Sequence, residues 1–304
     1  MLDRADLYDP GLVARLSRWT IPGPPSAYPQ RGVHRSPRRG ASLEFSEHTE
    51  YAPGDDLRHM DWRVYAKTDR LYVKRYEDER LQRAVLLVDA SGSMAYGASG
   101  DGLRGSKYHR AARWAVAVAA CLLRQGDAVG LYVAGGTGAE GTLAPRGGVG
   151  HLGAVIEALA GVRPGGEARL EAATRVLADR VGRSAAVFAF SDLLDPEAEA
   201  LEPFRVLRAR GLAPRVCHLL HPDELDLPFE DTTRFLDLEG PAELVLDPLA
   251  VRRAYRQEIE AYRRALAARA ETQGIPYAFA ATHEDPVPPL GRLLAAARRN
   301  RWTS

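Results

Sequence analysis

Residues 84–94 read Ala-Val-Leu-Leu-Val-Asp-Ala-Ser-Gly-Ser-Met, an unbroken apolar run that ends in an acid and gives way to small polar residues. A strand buried on both faces of a parallel sheet has this appearance, because helices cover both sides and no position needs to be polar. Its last residue, Asp89, falls where the strand leaves the core. The small residues that follow suit a tight loop, and Lys107–Arg124 is predicted to form the next helix.

The same alternation continues downstream. Ala128–Val133 reads as a strand, Leu152–Leu159 and Leu170–Val181 as helices, and Ala185–Phe190 as a second buried strand. A helix (Glu197–Arg210), a strand (Arg215–Leu220), a long helix and a last strand (Tyr277–Ala281) follow. In the long helix Val251, Tyr255, Ile259, Tyr262 and Leu266 recur at helical spacing and define one apolar face. Strands alternating with helices predict an α/β fold, a doubly wound and mostly parallel sheet. Phe235–Leu238 and Leu244–Leu246, joined by Glu239-Gly240-Pro241, predict a hairpin near 233–247 inserted before the long helix.

Upstream the text is different. Residues 20–40 hold five prolines and three glycines and read as an arm, after a short helix over Leu7–Trp19. Leu43, Phe45, the Pro53-Gly54-Asp55 turn and the alternation Leu71, Val73, Arg75 predict a small β-rich region. The expected division is therefore residues 1–82, arm and β-rich region, and residues 83–304, the α/β domain.

The second buried strand ends as the first does, in Ser191-Asp192. In an open α/β sheet ligands collect at the carboxyl ends of strands where the strand order reverses. If these two strands are neighbours there, Asp89, Ser91, Ser93 and Asp192 converge. Two carboxylates and two hydroxyls are hard oxygen donors, suited to Mg²⁺ or Mn²⁺ rather than zinc or copper. The plainer alternative is that the serines cap the following helix and the acids are solvated loop ends.

The Asp-x-Ser-x-Ser loop with a later strand-end Asp resembles the metal-ion-dependent adhesion site of von Willebrand factor A domains. Arg39-Gly40, Glu44-Phe45, Glu50-Tyr51, Pro53-Gly54-Asp55-Asp56, Arg58 and Asp61-Trp62-Arg63 resemble the signature of the bacterial family catalogued as domain of unknown function 58. That pattern continues through Ala66-Lys67, Val73, the Asp89–Met94 loop, Gly97 and Lys107. The resemblance implies an adapter rather than an enzyme, one divalent ion (Mg²⁺, or Mn²⁺ or Ca²⁺), and a MoxR-type AAA+ ATPase or its substrate as partner. It also implies that an acidic residue of a partner completes the ion's shell. The resembled site includes a Thr after a Gly-Gly; here the matching stretch is Gly165-Gly166-Glu167, which makes Glu167 a candidate ligand in its place, with Thr174 seven residues further on.

Net charge is +1, from 41 Lys and Arg against 40 Asp and Glu, so no global field draws the chain to nucleic acid or anionic lipid. The longest apolar run, Trp114–Leu123, is about half the length of a bilayer span. Cys121 and Cys217 lie in apolar runs and read as reduced core residues. A cytoplasmic location is the expectation. Gly100-x-Gly102-x-x-Gly105 begins eleven residues after Asp89, too late for a dinucleotide fingerprint, and no P-loop motif occurs. A Mg²⁺-dependent phosphohydrolase is the enzymatic alternative. In the dehalogenase type a second acid stands two residues after the nucleophilic Asp, whereas Ser91 stands there and cannot act as acid or base at neutral pH. Asp61, Trp62, Arg58 and Arg63 form a mixed-charge patch, read either as an internally paired turn or as a docking surface. A scaffold with a structural or degenerate ion site, interacting through that patch, is the third reading.

Overall fold

A computed structural model describes residues 2–19, 43–50, 60, 62, 64–65, 70–78, 83–100, 102–137, 142–167, 170–182, 184–194 and 199–295. The chain divides into two compact units, residues 28–81 and residues 1–27 together with 82–304. In the smaller unit β1 (Leu43–Glu50) pairs antiparallel with β2 (Tyr72–Asp78), with a register shift between Phe45 and Glu47. The expected turn at Pro53–Asp55 lies outside the described residues.

The larger unit is built on a six-stranded sheet. Its strands are β3 (Arg83–Asp89), β4 (Ala128–Ala134), β5 (Thr142–Arg146), β6 (Ala186–Ser191), β7 (Ala213–Leu220) and β10 (Tyr277–Ala281), in the order β10-β7-β6-β3-β4-β5. All neighbours are parallel except the edge pair β4–β5. The predicted α/β doubly wound sheet is therefore present. The chain winds outward from β3 to one edge, then returns to β6 and winds to the other, so the order reverses between β3 and β6.

Side-chain alternation sorts the core into two layers. Ala84, Leu86 and Val88 of β3, with Phe188 and Phe190 of β6, face α3 (Lys107–Arg124) and α4 (His151–Gly161). Val85, Leu87, Val187 and Ala189 face α5 (Leu170–Arg180), α6 (Glu202–Ala209) and the end of the long α8 (Pro248–Thr272). Helix α3 is buried nearly all round, Trp114 through Leu123 included, and a helix in that state needs cover on its outer side as well. The cover comes from α1 (Arg4–Leu7) and α2 (Pro10–Leu16), through Leu7, Val13 and Leu16, with α9 (Val287–Ala295) packed beside α2 and on β10 and β7.

The expected grouping of residues 1–82 differs at its N-terminal end, while the smaller unit ends at residue 81. The first 27 residues belong with the α/β unit, because Leu7, Leu12, Val13 and Leu16 bury an apolar stripe there. Asp9 caps α2 through Leu12 N–H at 3.0 Å and pairs with Arg113 of α3 at 2.8 Å. The single helix expected over Leu7–Trp19 is two helices, broken where Pro10 opens the second.

The hairpin is present as β8 (Thr233–Leu236) and β9 (Glu243–Leu246). The apolar face of α8 reaches the core only through its C-terminal half, where Leu266 and Ala270 are buried; Leu249 and Val251 at its start stay exposed. A short helix, α7 (Pro222–Asp226), follows β7 and is held by a reciprocal cap in which Glu224 accepts the His221 N–H at 2.7 Å.

Candidate functional site

Strand β3 delivers Asp89, fully buried, to the carboxyl edge of the sheet. One carboxylate oxygen accepts the Ser91 N–H at 2.9 Å and the other accepts the Ser191 hydroxyl at 2.6 Å, so the chain holds Asp89 from its own loop and from β6. The loop turns through a short 3-10 helix at Ser93–Ala95. The Ser91 and Ser93 hydroxyl oxygens lie 3.1 Å apart, and Ser93 Oγ donates to Asp192 Oδ2 at 2.7 Å. The Asp89–Ser93 loop and the distant Asp192 thus present one contiguous group of oxygens where β3 and β6 adjoin, at the reversal of strand order, which is where open α/β sheets place ligands.

The turn after β6 is constrained. Leu193 has φ 53°, a left-handed conformation that costs a side-chain-bearing residue free energy and persists only where its surroundings impose it. The Ser191 hydroxyl accepts the Leu193 N–H at 3.0 Å, and Tyr262 of α8 donates its hydroxyl to the Leu193 carbonyl. These contacts fix the direction in which Asp192 points.

The group next to Asp192 is one the sequence reading did not place in the site. Lys107, the first residue of α3, has a fully buried side chain whose Nζ donates to Asp192 Oδ2 at 2.6 Å and to Glu224 Oε1 of α7. Burial alone would lower the pKa of this ammonium; the charges of Asp192 and Glu224 outweigh burial and raise it, so Lys107 stays protonated. A signal for it exists in the sequence. A Lys at the first position of a helix opposes the helix dipole, and burying it there requires acids nearby.

Asp89 is pushed up to about 7, first by burial and then by the neighbouring charge of Asp192. Lys107 spends its contacts on Asp192 and Glu224. Among the described residues no ion pair joins Asp89 to a basic side chain.

The second loop reaches the site through its backbone. Gly165 N–H donates to the Ala90 carbonyl at 2.9 Å, and Gly92 N–H donates to the Gly166 carbonyl at 2.8 Å. Gly136, at φ 70°, lets the loop after β4 pass beneath; a Cβ there would lie 2.8 Å from the Arg163 carbonyl oxygen. Glu167 is exposed, and among the described residues no hydrogen bond or ion pair joins its carboxylate to Asp89, Ser91, Ser93 or Asp192. Thr174 is buried inside α5, its hydroxyl on the Glu171 carbonyl at 3.0 Å.

A further acid arrives from the hairpin. Glu239, at the β8–β9 tip, accepts the Ser93 N–H through Oε1 at 3.2 Å. Beside it the Leu238 carbonyl lies so close over Gly92 that a Cβ on that glycine would sit 2.0 Å from the oxygen. His218 and His221 take packing and capping places: His218 is buried with Nδ1 2.6 Å from the Tyr277 hydroxyl, and His221 caps α7.

In the smaller unit Trp62 is 63% exposed and stands edge-on to Tyr65 at 6.3 Å. Arg58, Asp61 and Arg63 lie outside the described residues. Among the described residues no group of three or more His, Cys, Asp or Glu is placed to hold a metal ion, and no helix is long and apolar enough to cross a membrane.

The model of the family described as "Protein of unknown function DUF58" matches residues 47–266. An uncharacterized protein of Mycobacterium tuberculosis, Rv1480, is 28% identical over 278 residues, covering 88% of this chain and 84% of its own. Among solved structures, the conserved hypothetical protein BatB from Bacteroides thetaiotaomicron is similar at TM-score 0.44 and 17% identity, over 71% of this chain and 98% of that chain. The VWA domain of SpRpn10 is similar at TM-score 0.33 and 13% identity, over 46% of this chain and 76% of that chain. With more than two thirds of its length inside the family match, the chain belongs to the DUF58 family.

Proposed function

We propose that this DUF58-family chain is a protein-interaction adapter, without catalytic activity of its own, that recognises an acidic residue of a partner through a divalent ion held at the β3–β6 edge. The observation that carries the reading is the convergence of Asp89, Ser91, Ser93 and Asp192 there. The chemistry of the donor set supports Mg²⁺, and the one hydroxyl spacing available is compatible with it. All donors are hard oxygens. With bonds of about 2.1 Å, adjacent ligands of an octahedral Mg²⁺ lie about 3.0 Å apart, and the two serine hydroxyls are separated by 3.1 Å. The buried Asp89 carboxylate supports a cation by the same logic that raises its pKa without one.

When bound, the ion would offer a coordination position to an outside carboxylate. Everything else is the work of this chain. Ser91 and Ser93 would hold the ion through their hydroxyls, with Asp89, oriented by Ser191, beside them. Asp192 is held by Lys107 and by the Leu193 turn. A MoxR-type AAA+ ATPase, or the substrate such an ATPase handles, is the partner proposed on the strength of the family resemblance. The reading of the chain as a non-enzyme is supported by the residue two positions after Asp89, which is Ser91 and no acid.

Isothermal titration with MgCl₂ tests the ion site. Wild type is expected to bind one ion, and Asp89→Asn, which keeps the size of the side chain and removes its charge, is expected to bind none. No heat with wild type, and no ion-induced rise in its melting temperature, would sink the reading.

A further inference from the structure

The β8–β9 hairpin is an unusual companion for a ligand site. Each strand has four residues, and Leu236, Leu244 and Val245 are more than half exposed, so little apolar burial fastens the hairpin to the domain. Its cross-strand ion pair, Arg234–Glu243, is exposed as well and contributes little. Yet the tip is placed closely. Asp237 accepts the Glu239 N–H at 2.8 Å and shapes the turn, Glu239 Oε1 accepts the Ser93 N–H, and the Leu238 carbonyl rests on Gly92 where only a hydrogen fits. Gly92 has φ −58°, which any residue adopts, so close approach by the hairpin, not backbone conformation, accounts for a glycine between the two serines.

We infer that the hairpin is a tethered ligand: the Glu239 carboxylate takes the seat over the Ser91–Ser93 loop that a partner's acidic residue uses, and the partner is a peptide segment whose acid, with the backbone carbonyl before it, displaces Glu239 and the Leu238 carbonyl. This inference rests on the ion-site reading above. A weakly fastened hairpin whose tip carries a carboxylate onto the Ser93 N–H can leave without disturbing the core, and its departure exposes the loop. The partner's acid and Glu239 compete for one place, so the site is closed until a segment of matching chemistry arrives at sufficient concentration.

Three measurements on the full chain test this, with MgCl₂ as the first probe. Glu239→Gln is expected to weaken Mg²⁺ binding about tenfold through loss of one carboxylate near the ion, while Asp89→Asn abolishes it. In hydrogen exchange, Mg²⁺ is expected to slow the amides of residues 236–243 in wild type and leave them unchanged in Glu239→Gln. A synthetic peptide of sequence Asp-Leu-Glu-Gly-Pro-Ala is expected to bind Glu239→Gln in Mg²⁺ more tightly than wild type, and the same peptide with Gln for Glu is expected not to bind. If Glu239→Gln matches wild type in ion affinity and exchange while Asp89→Asn does not, the tethered ligand is refuted and the ion site stands. If Glu239→Gln does not bind the peptide, the partner class is refuted. If wild type itself takes up no Mg²⁺, the ion site falls and the hairpin reading with it.

Discussion

Replacing Lys107 by Met asks how much of the fold depends on one buried charge. The side chain of Lys107 is 0% exposed, and its partners Asp192 and Glu224 are 3% and 17% exposed. Methionine keeps most of the apolar stem, so the change is mainly electrostatic. Removing one partner of a buried ion pair costs about 3–5 kcal/mol, because the remaining charges are left without compensation in a poorly solvated place. Relief of the unfavourable lysine at the start of α3 returns up to about 1 kcal/mol. A net loss of roughly 2–5 kcal/mol, at about 2–4 °C per kcal/mol for a domain of this size, lowers the melting temperature by roughly 4–20 °C. Calorimetry measures that shift, and urea unfolding should show a lower midpoint with an unchanged slope. Adding Glu224→Gln to Lys107→Met should recover part of the loss, since one orphaned carboxylate is then neutral. Mg²⁺ should stabilise the single variant more than wild type, since an ion can neutralise the acids that the ammonium has left. A Lys107→Met protein that melts within about 2 °C of wild type, with no extra response to Mg²⁺, refutes the reasoning that this lysine is the resident cation of the site.

Two further outcomes are expected. Asp89 has its folded pKa raised from 3.8 to about 7, so the fold favours the protonated acid; in EDTA this contribution is complete below pH 4 and is lost as pH rises toward 7, at about 1.4 kcal/mol per pH unit. The stability difference between wild type and Asp89→Asn should follow that course in EDTA and shrink in Mg²⁺; a difference that does not vary with pH contradicts it. Glu167→Ala should leave Mg²⁺ affinity within about twofold of wild type, since its exposed carboxylate joins no site residue among those described; a loss of tenfold or more by titration would return Glu167 to the ligand set.

The parts of this molecule that were legible in the sequence share one property: their signal is local. Ala84–Val88 and Ala186–Phe190 are apolar throughout because both faces are covered, and both end in side chains that leave the core at one edge. Knowing only that, Asp89, Ser91, Ser93 and Asp192 could be brought together, and the strand order places them at the reversal. Strand β5 was not legible: Thr142–Arg146 is short, alternates between exposed and half-buried residues, and carries Pro145, a pattern tolerated at a sheet edge and indistinguishable from a loop in sequence. Nor was the attachment of α1 and α2, because the need for them arises from the outer face of α3, some hundred residues away. Glu224 and Glu239 belong to the same class. Each is an ordinary acid in a turn or short helix, and what makes it part of the site is a partner more than a hundred positions distant. Lys107 is intermediate, since its place at the start of a helix was a detectable anomaly.

An immobilised-chain binding assay with a purified MoxR-type AAA+ ATPase of the same organism tests the adapter claim most directly, using wild type in Mg²⁺, wild type in EDTA, and Asp89→Ala in Mg²⁺. Capture by wild type in Mg²⁺ alone is the predicted result. Equal capture in all three conditions, or capture in none, contradicts recognition of that partner through the ion site.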